Sequence, residues 1–271
     1  MARPAQRHRE LVEQIKKLDR AYYEEAQPLV SDQEYDRLYR ELLDLEAAHP
    51  ELATADSPSQ RVGGAPLPHF TSVAHAQPMQ SLDNTYSASE LEAFVDRIQK
   101  ALEGEKLGFV IEPKIDGVAV SVRYEKGKFV QGLTRGDGQR GDDVTQNLRT
   151  IKNLPLEIKS HAAVLEVRGE VYYPSAAFEK LNRQREAAGE ATFANPRNDA
   201  AGTLKQLDSK LVARRPLAIE LYGPGELHGV ECATQREGLK LIHHAGLHVP
   251  EKTWYCKTKA ELLAAVAELD L

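Results

Sequence analysis

The sequence predicts an α+β protein, with a small helical domain at the N-terminus and a body built around antiparallel sheet. Three observations carry this. Apolar residues recur at helical spacing over the first 50 residues, at Leu11, Ile15, Leu18 and Tyr22 and again at Tyr35, Leu38, Leu42 and Leu45. From residue 108 the period switches to two, as in Val118, Val120, Val122 and Tyr124. The strands that follow are joined by hairpin turns, with helices scattered between and after them, so a doubly wound parallel sheet is disfavoured.

Taken in order, "RHRELVEQIKKLDRAYYEEA" is the first helix. The second starts in a capping box, Ser31 with Glu34, and is stopped by Pro50. The expected domains are a helical one over 1–60, a linker over 61–86 set in a stretch rich in Pro, Gly, Ser and Asp, and a body over 87–271. "SASELEAFVDRIQKAL" opens the body as an amphipathic helix capped by Ser87 with Glu90. "GFVIEPKIDG" reads as a strand carrying Val110, Glu112, Lys114 and Asp116 on one face and Ile111, Pro113 and Ile115 on the other. A hairpin follows, turning at Glu125 to Lys128. "AVLEVRGEVYYP" and "LAIELYG" are further strands. "SAAFEKLNRQREAAG", "NDAAGTLKQL", "TQREGLKLIHHAG" and "KAELLAAVAEL" are helices.

The chain of 271 residues has 41% hydrophobic and 28% charged residues, the balance of a soluble globular protein. Its net charge of −6 excludes a globally basic nucleic-acid binder and leaves room only for a local basic patch. The two cysteines, Cys232 and Cys256, are too few for a disulfide framework or a cysteine-rich zinc site and read as reduced thiols. There is no signal peptide and no apolar run long enough to cross a bilayer, so the expected location is the cytoplasm. Gly136, Gly138 and Gly141 fall in the G-x-G-x-x-G spacing, but the preceding strand belongs to a hairpin, so the loop reads as turn chemistry and not as a dinucleotide fingerprint.

Three charges at alternate positions beside an apolar hairpin are unusual. Pro113 cannot donate to a strand ladder, and Gly117 marks a backbone bend or the close approach of a ligand. A lysine held beside a core loses its proton more readily and becomes a nucleophile. At this point "EPKIDG" resembles the Lys-x-Asp-Gly signature of the covalent nucleotidyltransferases, a group of DNA ligases, RNA ligases and capping enzymes. "VSDQEYDRLYREL", "DSPSQRVGG", "MQSLDNTY", "LTRGDGQRGDDVTQNLRTI", "LEVRGEVYYP" and "FANPRNDAAGTLKQLD" narrow the resemblance, in order, to the bacterial NAD-dependent DNA ligases. The fold it implies is the antiparallel nucleotidyltransferase core of ATP-grasp-like ligases, behind a helical domain that recognises NAD.

The resemblance implies the following roles. Lys114 attacks the α-phosphorus of NAD, nicotinamide mononucleotide leaves, and AMP stays on the lysine. The AMP then activates the 5′-phosphate at a nick in double-stranded DNA. Asp116 is an electrostatic partner of Lys114 or of Mg²⁺. Glu112 receives the adenine, Glu170 the ribose and Arg135 the nucleotide. Ser81 and Leu82 line the pocket, and Tyr222 stacks on the base. Tyr22, Tyr23, Asp32, Tyr35 and Asp36 face the nicotinamide mononucleotide half; aromatic rings and carboxylates suit its charge. Tyr23 stands where some family members carry His. Arg197 and Lys205 touch DNA phosphates, with Arg214 and Arg215 extending a basic patch. Lys205 replaces a more usual Arg and loses the fork geometry, while Asp199 adds a negative charge nearby. Mg²⁺ is expected to lean on substrate phosphates, so few dedicated ligands are needed.

The sequence ends at Leu271, before a second Asp-Gly strand motif of the family and its nucleotide-contacting lysines. The adenylation domain is therefore expected to lack its last strands, and the family's OB-fold, zinc finger, helix-hairpin-helix and BRCT modules lie outside this chain. NAD binding and at most slow self-adenylation are expected of the chain alone. The alternative is a non-catalytic remnant that binds NAD, another nucleotide or a partner without transferring AMP. An ATP-dependent relative is disfavoured by the N-terminal tyrosine and aspartate pattern.

Overall fold

A computed structural model describes residues 2–23, 29–53, 57–60 and 70–269. The N-terminal unit is two helices, α1 (Ala2–Tyr23) and α2 (Asp32–Ala48). Ser31 caps α2 by accepting a hydrogen bond from the Glu34 amide, as its capping box predicts. The apolar stripes meet: Leu11, Val12, Ile15, Leu18, Leu38 and Leu42 form one buried cluster. The Arg7 guanidinium clamps Glu41 across the pair with two hydrogen bonds of 2.6 and 2.8 Å. A buried polar knot fixes the chain that leaves α2. Glu46 accepts from Ser57 Oγ at 2.6 Å and from Ser59 Oγ, and the His8 ring lies 2.8 Å away.

Within 61–86, the stretch expected as a linker, the described part includes strand β1 (Ser72–Ala74). Helix α3 (Ala88–Ala101) follows with its Ser87 cap. The next element corrects the sequence reading. The predicted strand over 108–116 is regular only in β2 (Phe109–Ile111); residues 112–116 are extended chain without a ladder. The cause is local. Pro113 has no N–H to give, and the strand that pairs with β2 among the described residues is three residues long. The in–out alternation nevertheless persists: Pro113 and Ile115 are partly buried, while Lys114 and Asp116 are exposed.

The hairpin is as expected: β3 (Val118–Glu125) and β4 (Lys128–Thr134), with both central turn residues at positive φ, Lys126 at 49° and Gly127 at 79°. The short strand β5 (Arg140–Asp142) pairs with β1. After the single turn of α4 (Thr145–Leu148), the chain enters β6 (Val164–Tyr172), α5 (Ser175–Ala187), α6 (Pro196–Leu204) and α7 (Ser209–Ala213). It closes with β7 (Ala218–His228), α8 (Gln235–His244), β8 (Trp254–Cys256) and α9 (Lys259–Leu269). The central sheet has the order β4-β3-β6-β7 and every pair is antiparallel. One face carries Val120, Val122, Tyr124, Leu165, Val167, Ile219 and Leu221 into the main core, covered by Leu148 of α4, Ala200 and Leu204 of α6 and Val212 of α7. The alternation that buries those residues turns Arg123, Glu166, Arg168, Glu170 and Tyr222 to the opposite, polar face.

Candidate active site

Several of the expected residues gather around Glu170, near the C-terminal end of β6. Glu170 sits opposite Ala119 of β3 and Glu220 of β7. Burial pushes its carboxyl up to about 7, against the pull of Lys114, Arg197 and Arg135 and with a push from Asp116. That one carboxyl thus lies in the field of four other expected site residues. Burial and the adjoining Glu170 carboxylate raise the Tyr222 hydroxyl. Asp116 is bound by Arg197 at 3.0 Å, which draws the first turn of α6 onto the chain following Lys114. Asn195 caps that helix through the amides of Arg197 and Asn198, and Pro196 fits the first helical turn, so Arg197 is held on a defined end.

Arg135 follows β4 directly. Its amide donates to the Ala119 carbonyl at 2.9 Å, and its own carbonyl accepts from the Gly138 amide at 3.0 Å. The glycine-rich motif is thus the tight turn its composition suggests, with Gly136 at φ 57° and Gly138 at φ 88°. Sequence reasoning missed His75, whose Nε2 lies 3.1 Å from the same carbonyl and which burial keeps from protonating readily. It also missed Gln235, read only as part of a helix. The Gln235 side-chain amide donates to Glu112 Oε1 at 2.9 Å and to the Tyr222 carbonyl at 2.5 Å. Burial raises the Glu112 carboxyl, and the Gln235 N–H pulls it back. No sequence signal singles out either residue.

Other expected residues lie elsewhere. Lys205, at the end of α6, is 3.3 Å from the buried carboxylate of Asp142. Asp199 is half-buried on α6, where burial raises its carboxyl. Arg215 packs over the Phe193 ring. Ser81 and Leu82 are on a wholly exposed stretch, with Leu82 at 85% exposure. In the helical unit, Tyr35 stacks on Tyr39 with ring centroids 6.0 Å apart. Asp36 Oδ2 accepts from Asn84 Nδ2 at 2.7 Å and from the Tyr86 hydroxyl at 2.6 Å, linking α2 to the stretch before α3. Tyr22 and Tyr23 end α1 and Asp32 begins α2; their side chains lie outside the described residues.

Among the described residues, no cluster of three or more His, Cys, Asp or Glu side chains is placed to hold a metal ion. Asp116, two residues from Lys114, is engaged by Arg197, so this donor set does not form a Mg²⁺ cage. Both cysteines are free thiols. No helix among the described residues is long and apolar enough to cross a membrane.

An antiparallel sheet with a lysine, two arginines and two carboxyls gathered near the end of an inner strand fits a nucleotidyltransferase-like class, and comparison with known proteins narrows it. The profile of the NAD-dependent DNA ligase adenylation domain matches residues 67–271, and that of the DNA ligase-like N-terminal NAD⁺-binding domain matches residues 1–63. A protein named DNA ligase from Methylacidiphilum infernorum is 54% identical over 97% of the chain. DNA ligases from Heliobacterium modesticaldum and Brevibacillus brevis are 51% and 48% identical over 94% and 96% of it. The chain belongs to the NAD-dependent DNA ligase family. It spans 39%, 38% and 38% of the length of these three relatives.

Proposed function

We propose that this chain is the adenylation module of an NAD-dependent DNA ligase. Lys114 attacks the α-phosphorus of NAD, the bond to nicotinamide mononucleotide breaks, and AMP remains on the lysine nitrogen as a phosphoramidate. The observation that carries this reading is the convergence of Lys114, Asp116, Arg135 and Arg197 around Glu170. The cations counter charge on the phosphates, which is most of what phosphoryl-type transfer asks of a protein. Glu112 receives the adenine, Tyr222 stacks on it, and Glu170 holds the ribose; Ser81 and Leu82 close the pocket only by moving in from their exposed stretch. Lys114 is exposed, so its amine is open to an incoming phosphate.

The helical unit over 1–60 takes the nicotinamide mononucleotide half through Tyr22, Tyr23, Asp32, Tyr35 and Asp36, and residues 61–86 connect it to the adenylation body over 87–271. The match of residues 1–63 to an NAD⁺-binding domain supports NAD over ATP. Mg²⁺, which neutralises phosphate charge, would be held chiefly by the substrate. In the complete enzyme the AMP passes to a 5′-phosphate at a DNA nick, the chemistry of replication and repair in the cytoplasm. Arg197 contacts the DNA backbone; Lys205 does so only by sharing or leaving its bond to Asp142.

The test is intact-protein mass spectrometry after incubation with NAD and Mg²⁺, beside a Lys114→Ala control. A gain of one AMP, absent from the control, is the expected result. No gain, with thermal protection by NAD retained, would make the chain a binder that does not transfer AMP. Protection by ATP but not by nicotinamide mononucleotide would overturn the NAD assignment.

A further inference from the structure

We infer that Gln235 is a specificity-determining positioning residue, which fixes the Glu112 carboxylate so that the nucleotide site accepts adenine and rejects guanine. The inference rests on the function proposed above.

Gln235 is the first residue of α8, held there by the Thr234 cap. Its side chain reaches back 123 residues in sequence to Glu112. A primary amide nitrogen has two hydrogens. One is directed at the Tyr222 carbonyl at 2.5 Å, the other at Glu112 Oε1 at 2.9 Å. The flipped amide is excluded, because it would set a carbonyl oxygen against a carboxylate and a second carbonyl, three acceptors with no hydrogen among them. Gln235 therefore ties the adenine-receiving acid to the backbone of the base-stacking tyrosine. Glu112 lies in chain without a strand ladder, so no neighbouring strand fixes its direction.

Base choice at such an acid depends on where its lone pairs point. Adenine presents the N6 amino group as a donor, where guanine presents the O6 acceptor. A carboxylate locked towards the N6 position binds adenine and repels guanine. A carboxylate free to swing follows the guanine N1–H and amino donors instead. Gln235 supplies the lock, and rejection by fixed, unpaired acceptors is the strong form of discrimination.

The experiment measures, by calorimetry on the whole chain, the dissociation constants of NAD and of nicotinamide guanine dinucleotide. These are compared for wild type, Gln235→Ala and the isosteric Gln235→Glu, with thermal unfolding to verify folding. The wild type is expected to prefer NAD. In Gln235→Ala the preference falls about tenfold, the worth of one hydrogen bond to a charged acceptor. It falls further in Gln235→Glu, where a second carboxylate pushes Glu112 away. Equal weakening of both dinucleotides, with the ratio unchanged, would reduce Gln235 to a structural support and overturn the inference alone. So would a wild type that binds the two equally. A wild type that binds neither would overturn the function reading and this inference with it.

Discussion

At the scale of single residues, Glu170 is the group whose chemistry the fold alters most usefully. Its carboxyl is raised from the ordinary 4.5 to about 7, chiefly by burial. Between those values the folded chain holds a proton that the unfolded chain has released, so the contribution of this group to stability is fullest below pH 4.5 and declines as pH rises to 7. Burial raises Glu112, Glu166 and Glu220 in the same direction. Glu170→Gln removes its share of the decline. The variant should match wild type near pH 4.5 and exceed it by roughly 2–3 kcal/mol at pH 8, read as the urea midpoint at each pH. If the two proteins keep a constant difference across this range, Glu170 does not titrate there. Lys114 is the contrasting case. Its side chain is exposed, so Lys114→Ala should leave the midpoint within about 0.5 kcal/mol of wild type while removing any AMP labelling.

Individual elements show what a sequence discloses and what it hides. The β3–β4 hairpin was legible because Val118 to Tyr124 alternate over a contiguous stretch and the turn is local. Its weak point is also local: Lys126 adopts φ 49°, a conformation in which Asn is far more at ease. Lys126→Asn should therefore stabilise the chain by about 0.5–1 kcal/mol, seen as a higher thermal midpoint. The strand at 108–116 was misjudged because its partner, β8, lies some 145 positions away and is three residues long, so pairing stops at Ile111. Gly117 is expected to mark a bend or a ligand's close approach, but the group that approaches is backbone: a Cβ there would lie 2.2 Å from the Val171 carbonyl oxygen. Gly117→Ala should cost roughly 1–3 kcal/mol, as overpacking does, and loosen the Lys114 segment. An unchanged denaturation midpoint would mean that β3 and β6 separate there without strain. The charged residues around Glu170 were nameable from motif resemblance. Gln235 was not, because a contact spanning 123 residues leaves no local pattern.

For the whole molecule, the decisive feature is that its hydrophobic interior is divided. The helical pair buries one cluster around Leu11, Ile15, Leu38 and Leu42, and the body buries two more, one on the central sheet and one around Val95, Cys256 and Leu262, that share none of those residues. A unit of about 50 residues has little surplus stability, since so small a core buries a modest fraction of its surface. Leu42 is 0% exposed at the centre of that small cluster. Leu42→Ala should cost about 2–5 kcal/mol, as much as such a unit can lose. The expected consequence is selective. Amide hydrogens of α1 and α2 should lose protection from exchange, while those of β3, β4, β6 and β7 keep theirs, because nothing in the main core has been removed. Under the proposed division of labour, the same variant should lose protection by nicotinamide mononucleotide yet retain AMP binding around Glu170. Loss of exchange protection across both units together would show that the two cores fold as one, with the Asp36 contacts to Asn84 and Tyr86 carrying more of the coupling than their exposure suggests.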